Sequence, residues 1–424
     1  MSQPKQLKKL TRERMDATGE SYTTARKAVL AGKPANPVNA ARGGGPGAAP
    51  DSRPGDGPAE EQELPEYPAP DNVTQYDAGL WHRVLTQAGV TNPITGAAPS
   101  EALLAGIAGG IGFMVFTFEY ESVTTATVVT RSHPEPYTAS LLARLGVPVR
   151  ETHTSSVKQA QANLDDGLDE GRAVVVRVTE GALPWIASAE PEDSESVDVA
   201  VVGEEDGSYL IDDGSGALRV LTAGELAAAR SRRKKDRHWQ AWIPEPVAPR
   251  VKVLRRGVVE AIDQTTGRLL GTAPLQGIPA HFAKNFGVAG MRNWAERLRD
   301  TTTRRGWTAL FADEERLRGG LDQLAAFLDS DRFCGAGGLR GLYADFLEEA
   351  AALPGLAGLA AAAAPYRELA PLWEELADVV EPDVEAGDRS ALFARMADVV
   401  ERIADAEESA ARGLREALEA ATAS

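Results

Sequence analysis

A chain of 424 residues, with 43% hydrophobic and 25% charged side chains, has the composition of a soluble globular protein and room for two or three domains. Its formal net charge of −17 excludes sequence-wide attraction to nucleic acid or to an anionic membrane. The single cysteine, Cys334, excludes a disulfide framework within the chain and fits a reducing cytoplasm; no run of about 18 apolar residues is present to span a membrane.

The N-terminus, "MSQPKQLKKLTRERMDATGE", lacks an apolar core, so no secretory signal is expected. Residues 1–31 read as a basic two-helix tag, with Gly19 ending the first helix, Ser21 capping the second and Gly32 stopping it. A solvated terminus and a tag that docks a partner are both open readings; a nucleic-acid contact is disfavoured by the acidity of the rest. Residues 32–70 are rich in Pro, Gly and Ala and read as a disordered linker.

A first folded domain is expected over 71–245. "YDAGLWHRVLTQAG" puts Leu80, Val84 and Leu85 on one helical face and ends at Gly89. "PSEALLAGIAGGIGF" begins as a helix capped by Ser100 and breaks at Gly109 and Gly110; "GFMVFTFEY" and "TATVVTR" then read as strands. "SSVKQAQANLDDGLDEG" is amphipathic, with Val157, Ala160, Leu164 and Leu168 on one face. The near-continuous apolar run "AVVVRVT" predicts a central strand. "VDVAVVGEE" and "YLIDD" predict a hairpin turning at Asp206-Gly207, and Thr222 with Glu225 predicts a capping box. Helices followed by a mostly antiparallel sheet make this an α+β domain.

From 250 to 424 the chain reads as an all-α helical domain. Its last segment carries Leu392, Met396, Val399, Ile403, Ala406 and Ala410 at helical spacing, a stripe that suits a bundle core and, as the alternative, a seam between two copies.

The motifs that bear chemistry are few. "GIAGGIGF" lacks the Gly-Lys-Ser/Thr of a phosphate loop and has its helix before the glycines, so Gly109, Gly110 and Gly112 are assigned to a tight turn or a close approach at a cleft. The five histidines are scattered, and the acidic run "EPEDSES" has no calcium-loop spacing, so neither a metal nor a cofactor is expected. "RSRRKKDRH" is a basic patch on an acidic chain; Arg230, Arg232, Arg233, Lys234, Lys235 and Arg237 are candidates for docking an acidic partner, against the simpler reading of a solvated helix end. Cys334 stands before a glycine run with no neighbouring histidine, which favours a packing role over a nucleophilic one.

Three stretches in order, "SEALLAGIAGGIGF", "ETHTSSVKQAQANLDDGLDEGRAVVVRV" and "VDVAVVGEEDGSYLIDD", resemble the N-terminal domain of butirosin biosynthesis protein H. "FGVAGMRNWAERLRD" and "GAGGLRGLYADFLEEAAAL" resemble the uncharacterised helical domain that often follows it, so the resemblance covers roughly residues 72–380. It implies a papain-like, cysteine-peptidase-like fold and, for the family's described member, acyl transfer from a carrier-protein thioester to an aminoglycoside amine. Such chemistry uses a cysteine thiolate opening the first helix, a histidine opening a strand, and an orienting carboxylate or amide. Here the cysteine place falls at Tyr76 and the histidine place at Val197, while Asp212 survives as the third member.

A valine moves no proton, and a tyrosine without a base is a poor acyl acceptor. The expectation is therefore a catalytically degenerate member acting in binding or scaffolding in bacterial specialised metabolism. Its candidate partners are an acyl carrier protein, a peptide or a biosynthetic enzyme, with a homo-oligomer formed through the helical domain as a further possibility. The alternative is a divergent transferase or hydrolase built from Asp77, Asp198, His82 or Cys334, with Asp77 and Asp198 facing each other across the cleft.

Overall fold

The computed structural model describes residues 66–71, 73–133, 137–186, 195–275, 277–380 and 386–423. The expected tag, the linker as far as residue 65 and most of the acidic run near 190 lie outside them. From Tyr67 onward the chain forms one unit.

Helix α1 (Tyr76–Gln87) starts at Gln75, whose side-chain oxygen accepts from the Ala78 N–H at 2.6 Å. Its apolar face, including Leu80, Trp81, Val84 and Leu85, is buried. Helix α2 (Glu101–Ile107) is capped by Ser100 as expected, and the chain reverses at Gly109 and Gly110 (φ 129° and 61°) into β1 (Ile111–Glu119). A Cβ on Gly110 would stand 2.4 Å from the Tyr343 ring, so both the turn and the close approach require glycine there. β1 pairs antiparallel with β2 (Thr124–Arg131) as a separate two-stranded sheet.

Helix α3 (Tyr137–Leu145), β3 (Arg150–Thr152), α4 (Val157–Asp169) and β4 (Val174–Thr179) follow. Ala160 and Leu164 of α4 are buried, whereas Val157, expected on the same face, is half exposed in the first turn after the Ser156 cap. β5 (Ser196–Glu205) and β6 (Ser208–Asp212) join through Asp206-Gly207, both at positive φ, the hairpin geometry predicted from the dipeptide. β7 (Leu218–Thr222), α5 (Ala223–Ser231) with the predicted capping box, and β8 (Gln240–Trp242) complete an antiparallel sheet of order β3-β8-β4-β5-β6-β7. β4 is interior, and its valines serve two cores by alternation: Val175 packs with Ala200 and Ala241, and Val174, Val176 and Val178 with Val197, Val199 and Val201.

The remaining helices are α6 (Val251–Leu269), α7 (Gly287–Arg299), α8 (Trp307–Leu310), α9 (Glu314–Leu328), α10 (Arg340–Ala351), α11 (Ala363–Val379) and α12 (Arg389–Thr422). In α12 the stripe Leu392, Met396, Val399, Ile403 and Ala410 is buried within the chain's own core, which also takes in residues of α1, α2 and β1. The stripe is therefore a core position, and it offers no face for a second copy. The architecture is α+β, with antiparallel sheets in the N-terminal part and mainly helix in the C-terminal part.

Candidate functional site

The start of α1 meets the start of β5. Tyr76 and Val197, the two places where the resemblance puts nucleophile and base, fall in one apolar cluster. The Tyr76 hydroxyl donates to the Asp198 carbonyl oxygen at 2.8 Å, and burial holds it well above the usual tyrosine range. Its backbone N–H, at the helix start where an oxyanion would be received, donates instead to the Asp331 carbonyl at 3.1 Å. Gln75 is equally occupied, since its side-chain N–H donates to Asp77 while its oxygen caps the helix.

Asp331 belongs to a loop between α9 and α10 that is stitched to the end of β2. The Thr130 N–H donates to the Phe333 carbonyl at 3.0 Å, and the Thr130 hydroxyl donates to the Cys334 carbonyl at 3.0 Å. The loop delivers Arg332 over the Tyr76 ring (5.9 Å) and the Phe333 ring (5.1 Å), and Arg332 pairs with Glu180 at 2.6 Å. A residue from the helical part thus completes the wall beside α1.

Beside this junction lies a cleft of about 370 Å³. Its lining draws Asp77, Arg131, His133 and Arg332 together with Arg177, Ser196, Val197, Asp198, Lys235 and Asp236. Asp77 accepts from Arg131 at 2.6 Å. Asp198 accepts two bonds from Arg177 (2.7 and 3.0 Å) and one from the Thr138 hydroxyl (2.9 Å). Arg177 also lies on the Trp239 ring at 4.5 Å, and its charge is favoured by Asp198 against the cost of burial. Burial, then the Arg131 charge, pushes His133 down to about 4, so the imidazole is neutral at physiological pH.

The two carboxylates expected to face each other do line one cleft, but each is engaged by its own arginine. Asp212 is elsewhere: it is fully buried on β6 and accepts from Arg83 (2.6 and 3.0 Å), the Tyr67 hydroxyl (2.6 Å) and the Gly214 N–H (2.9 Å). With those donors it anchors the segment that leads into α1, and it orients nothing at residue 197. His82 binds the Pro99 carbonyl on the far side of α1's first turns. Cys334 is buried, its thiol faces the Val128 carbonyl at 3.3 Å, and burial raises it to about 12, which corrects the idea of an activated thiolate at this position.

In the basic run, Arg230 is not a docking residue. It is buried, donates to the His238 carbonyl and the Gln240 side chain, and is lowered to about 10 by burial. Arg232, Lys234, Lys235 and Arg237 are exposed, and Arg233 and Lys235 also line the cleft. Gly110 lines a much smaller hollow behind Arg131, not the cleft. Among the described residues no group of three His, Cys, Asp or Glu is placed to hold a metal ion, and no helix is long and apolar enough to cross a membrane.

Sequence reasoning missed Arg131, His133, Arg177 and Arg332. Arg177 had a signal, as the one charge in an otherwise apolar central strand; Arg332 had none, because its place depends on a loop packed against a strand some two hundred residues earlier.

Residues 75–214 match the family model described as butirosin biosynthesis protein H, N-terminal, and residues 224–414 match a domain of unknown function (DUF4872). The first match begins at Gln75, the residue that caps α1. No curated protein matches the chain.

Proposed function

We propose that this chain, which carries a butirosin biosynthesis protein H N-terminal domain followed by a domain of unknown function, is a binding module in which the inherited acyl-transfer site has become a ligand cleft. The observation that carries the reading is the state of the α1 start. Every group there that would attack or stabilise an acyl carbon is spent inside the fold: the Tyr76 hydroxyl on Asp198, the Tyr76 N–H on Asp331, and the Gln75 amide on Asp77 and Ala78. The neighbouring place is Val197, and His133, which lines the same cleft, is neutral and without a nucleophile to serve. Yet the cleft beside them is open and ionic, where a core left without a task would be expected to close with apolar side chains.

Lys235 lines the cleft on an acidic protein, and the exposed cations Arg232, Lys234 and Arg237 lie within three residues of it in the chain. They suit an acidic partner, an acyl carrier protein being the one that the family resemblance suggests, which would present what it carries to the cleft. In favour of the competing transferase reading, Asp77 and Asp198 do share the cleft; against it, both are held by arginine at hydrogen-bond distance.

Intact-mass analysis after incubation with aminoacyl and acyl thioester donors separates the two. The binding reading expects an unmodified mass and donor hydrolysis no faster than without protein. An adduct on any side chain, or turnover that disappears in Asp198→Asn, would establish the competing reading.

A further inference from the structure

The cleft's carboxylates and two of its cations, Arg177 and Lys235, decide what it can offer a ligand. Of its carboxylates, Asp77 accepts from Arg131 and Gln75 on one oxygen, Asp198 accepts from Arg177 and Thr138 on both, and Asp236 accepts from the Ser196 hydroxyl at 2.5 Å. Its remaining carboxylate, Glu195, faces Arg332 at 3.8 Å. The cations are not equally spent. Arg177 gives Nε and Nη2 to Asp198, which leaves its Nη1 without an acceptor among the described residues. The Trp239 ring under the guanidinium fixes the direction in which that group points. Lys235 is exposed at the cleft and has no acceptor among the described residues. What the cleft can still offer a ligand is therefore positive charge and N–H donors. Among the described residues, a cationic ligand would find only Asp236 without an arginine at bonding distance; at Asp77 and Asp198 it would have to pull a carboxylate away from an arginine that already bonds it, at a cost in desolvated charge.

We infer that the cleft takes a small ligand bearing an oxyanion, a carboxylate or a phosphate, seated between Arg177 and Lys235. The inference rests on the reading of this cleft as a binding site and names the class of its ligand. A volume of about 370 Å³ suits a small molecule or the tip of a longer group. On a chain of net charge −17 the long-range field repels anions, so these short contacts supply the attraction.

The test is calorimetric titration of the full chain at fixed ionic strength with inorganic phosphate, with succinate and with putrescine, on the wild type and on Lys235→Glu. Lys235 makes no described contact, so the variant keeps the fold. The expected result is saturable binding of phosphate or succinate that weakens about ten-fold in Lys235→Glu, with no binding of putrescine. Whichever of the two anions binds more tightly tells phosphate from carboxylate. The inference is overturned by putrescine binding in place of the anions, by anion binding that Lys235→Glu leaves unchanged, or by no saturable anion binding at all. Failure of the underlying reading shows separately, as thioester turnover in the mass assay.

Discussion

Two half-buried titratable groups, Glu101 at the approach to α1 and His133 in the cleft, pull the stability of the fold in opposite directions with pH. Glu101 accepts from the N–H groups of Thr74 (2.7 Å) and Gln75 (2.5 Å) and so holds the approach to α1; burial outweighs these bonds and raises it from 4.5 to about 7. Its stabilising share is complete below about 4.5 and is lost as pH rises through about 7. His133 is lowered from 6.5 to about 4, so its share is complete above about 6.5 and is lost as pH falls through about 4. Each shift corresponds to something on the order of 3 kcal/mol. Glu349 and His238 shift in the same senses as Glu101 and His133 and add to either side. The wild type should thus show a shallow profile between about pH 4.5 and 6.5. Urea midpoints across that range are expected to rise with pH in Glu101→Gln and to fall with pH in His133→Asn; parallel profiles for the two variants would refute the assignment. Neither group was legible as a pair from the sequence. Glu101 reads as an ordinary first-turn helix acid, and its burial is decided by the 73–75 segment folding back over α2.

At the scale of elements, the turn between α2 and β1 puts two demands on its backbone, a positive φ and a close approach. Gly110→Ala would force a Cβ to a φ of 61° and to 2.4 Å from the Tyr343 ring. An expected loss of about 2 kcal/mol or more follows, read as a lowered midpoint in chemical denaturation. The same substitution at Gly207, where nothing lies within 4 Å, meets only the backbone term and should cost about 1 kcal/mol. Such signals are local, and they explain what the sequence could reveal. Ser100, Ser156 and Thr222 cap helices, Gly89 and Gly171 stop them, and Asp206-Gly207 makes the hairpin, each by chemistry within a few residues. β3 and β8, three residues each, carry no pattern of their own, and pairing with distant strands makes them strands; the largely exposed edge strand β7 owes its form to pairing with its chain neighbour β6. The sequence after 250 reads as helical without marking α6 by itself, and the stripe's spacing places Val157 inward although its position in the first turn leaves it exposed. For the site, the anchoring of Tyr76 and Val197 could be read from motif order, whereas the arginines that neutralise Asp77 and Asp198 could not, since ion-pair partners are chosen by packing.

At the scale of the whole molecule, the hairpin β1–β2 and the C-terminal helices are joined by one buried charge pair. Arg340, at the start of α10, and Glu407, in the middle of α12, are both fully buried and 2.5 Å apart. Arg340 also donates to the carbonyls of Gly112 (2.9 Å) on β1, Thr130 (2.9 Å) on β2 and Gly338 (2.6 Å), and lies 5.0 Å from the Trp373 ring centre. A buried ion pair alone is weak support for stability, because apolar residues of the same volume often do as well. The three carbonyls change that balance: they are strand and turn groups that water cannot reach, and each lost donor costs about 1 kcal/mol or more. Arg340→Met is expected to cost about 3–5 kcal/mol, since it strands the Glu407 carboxylate as well as the carbonyls. Glu407→Leu added to it should recover the part due to the stranded charge and leave a residual loss of about 2–3 kcal/mol from the carbonyls. Urea denaturation of the two single variants and the double variant closes this cycle. A double variant as stable as the wild type would mean that the carbonyl clamp contributes nothing and that the two parts of the chain are held by apolar packing and the other hydrogen bonds between them, those of Thr130 included. A residual loss of the expected size would mean that one guanidinium ties both strands of the β1–β2 hairpin to the helical part through their buried carbonyls.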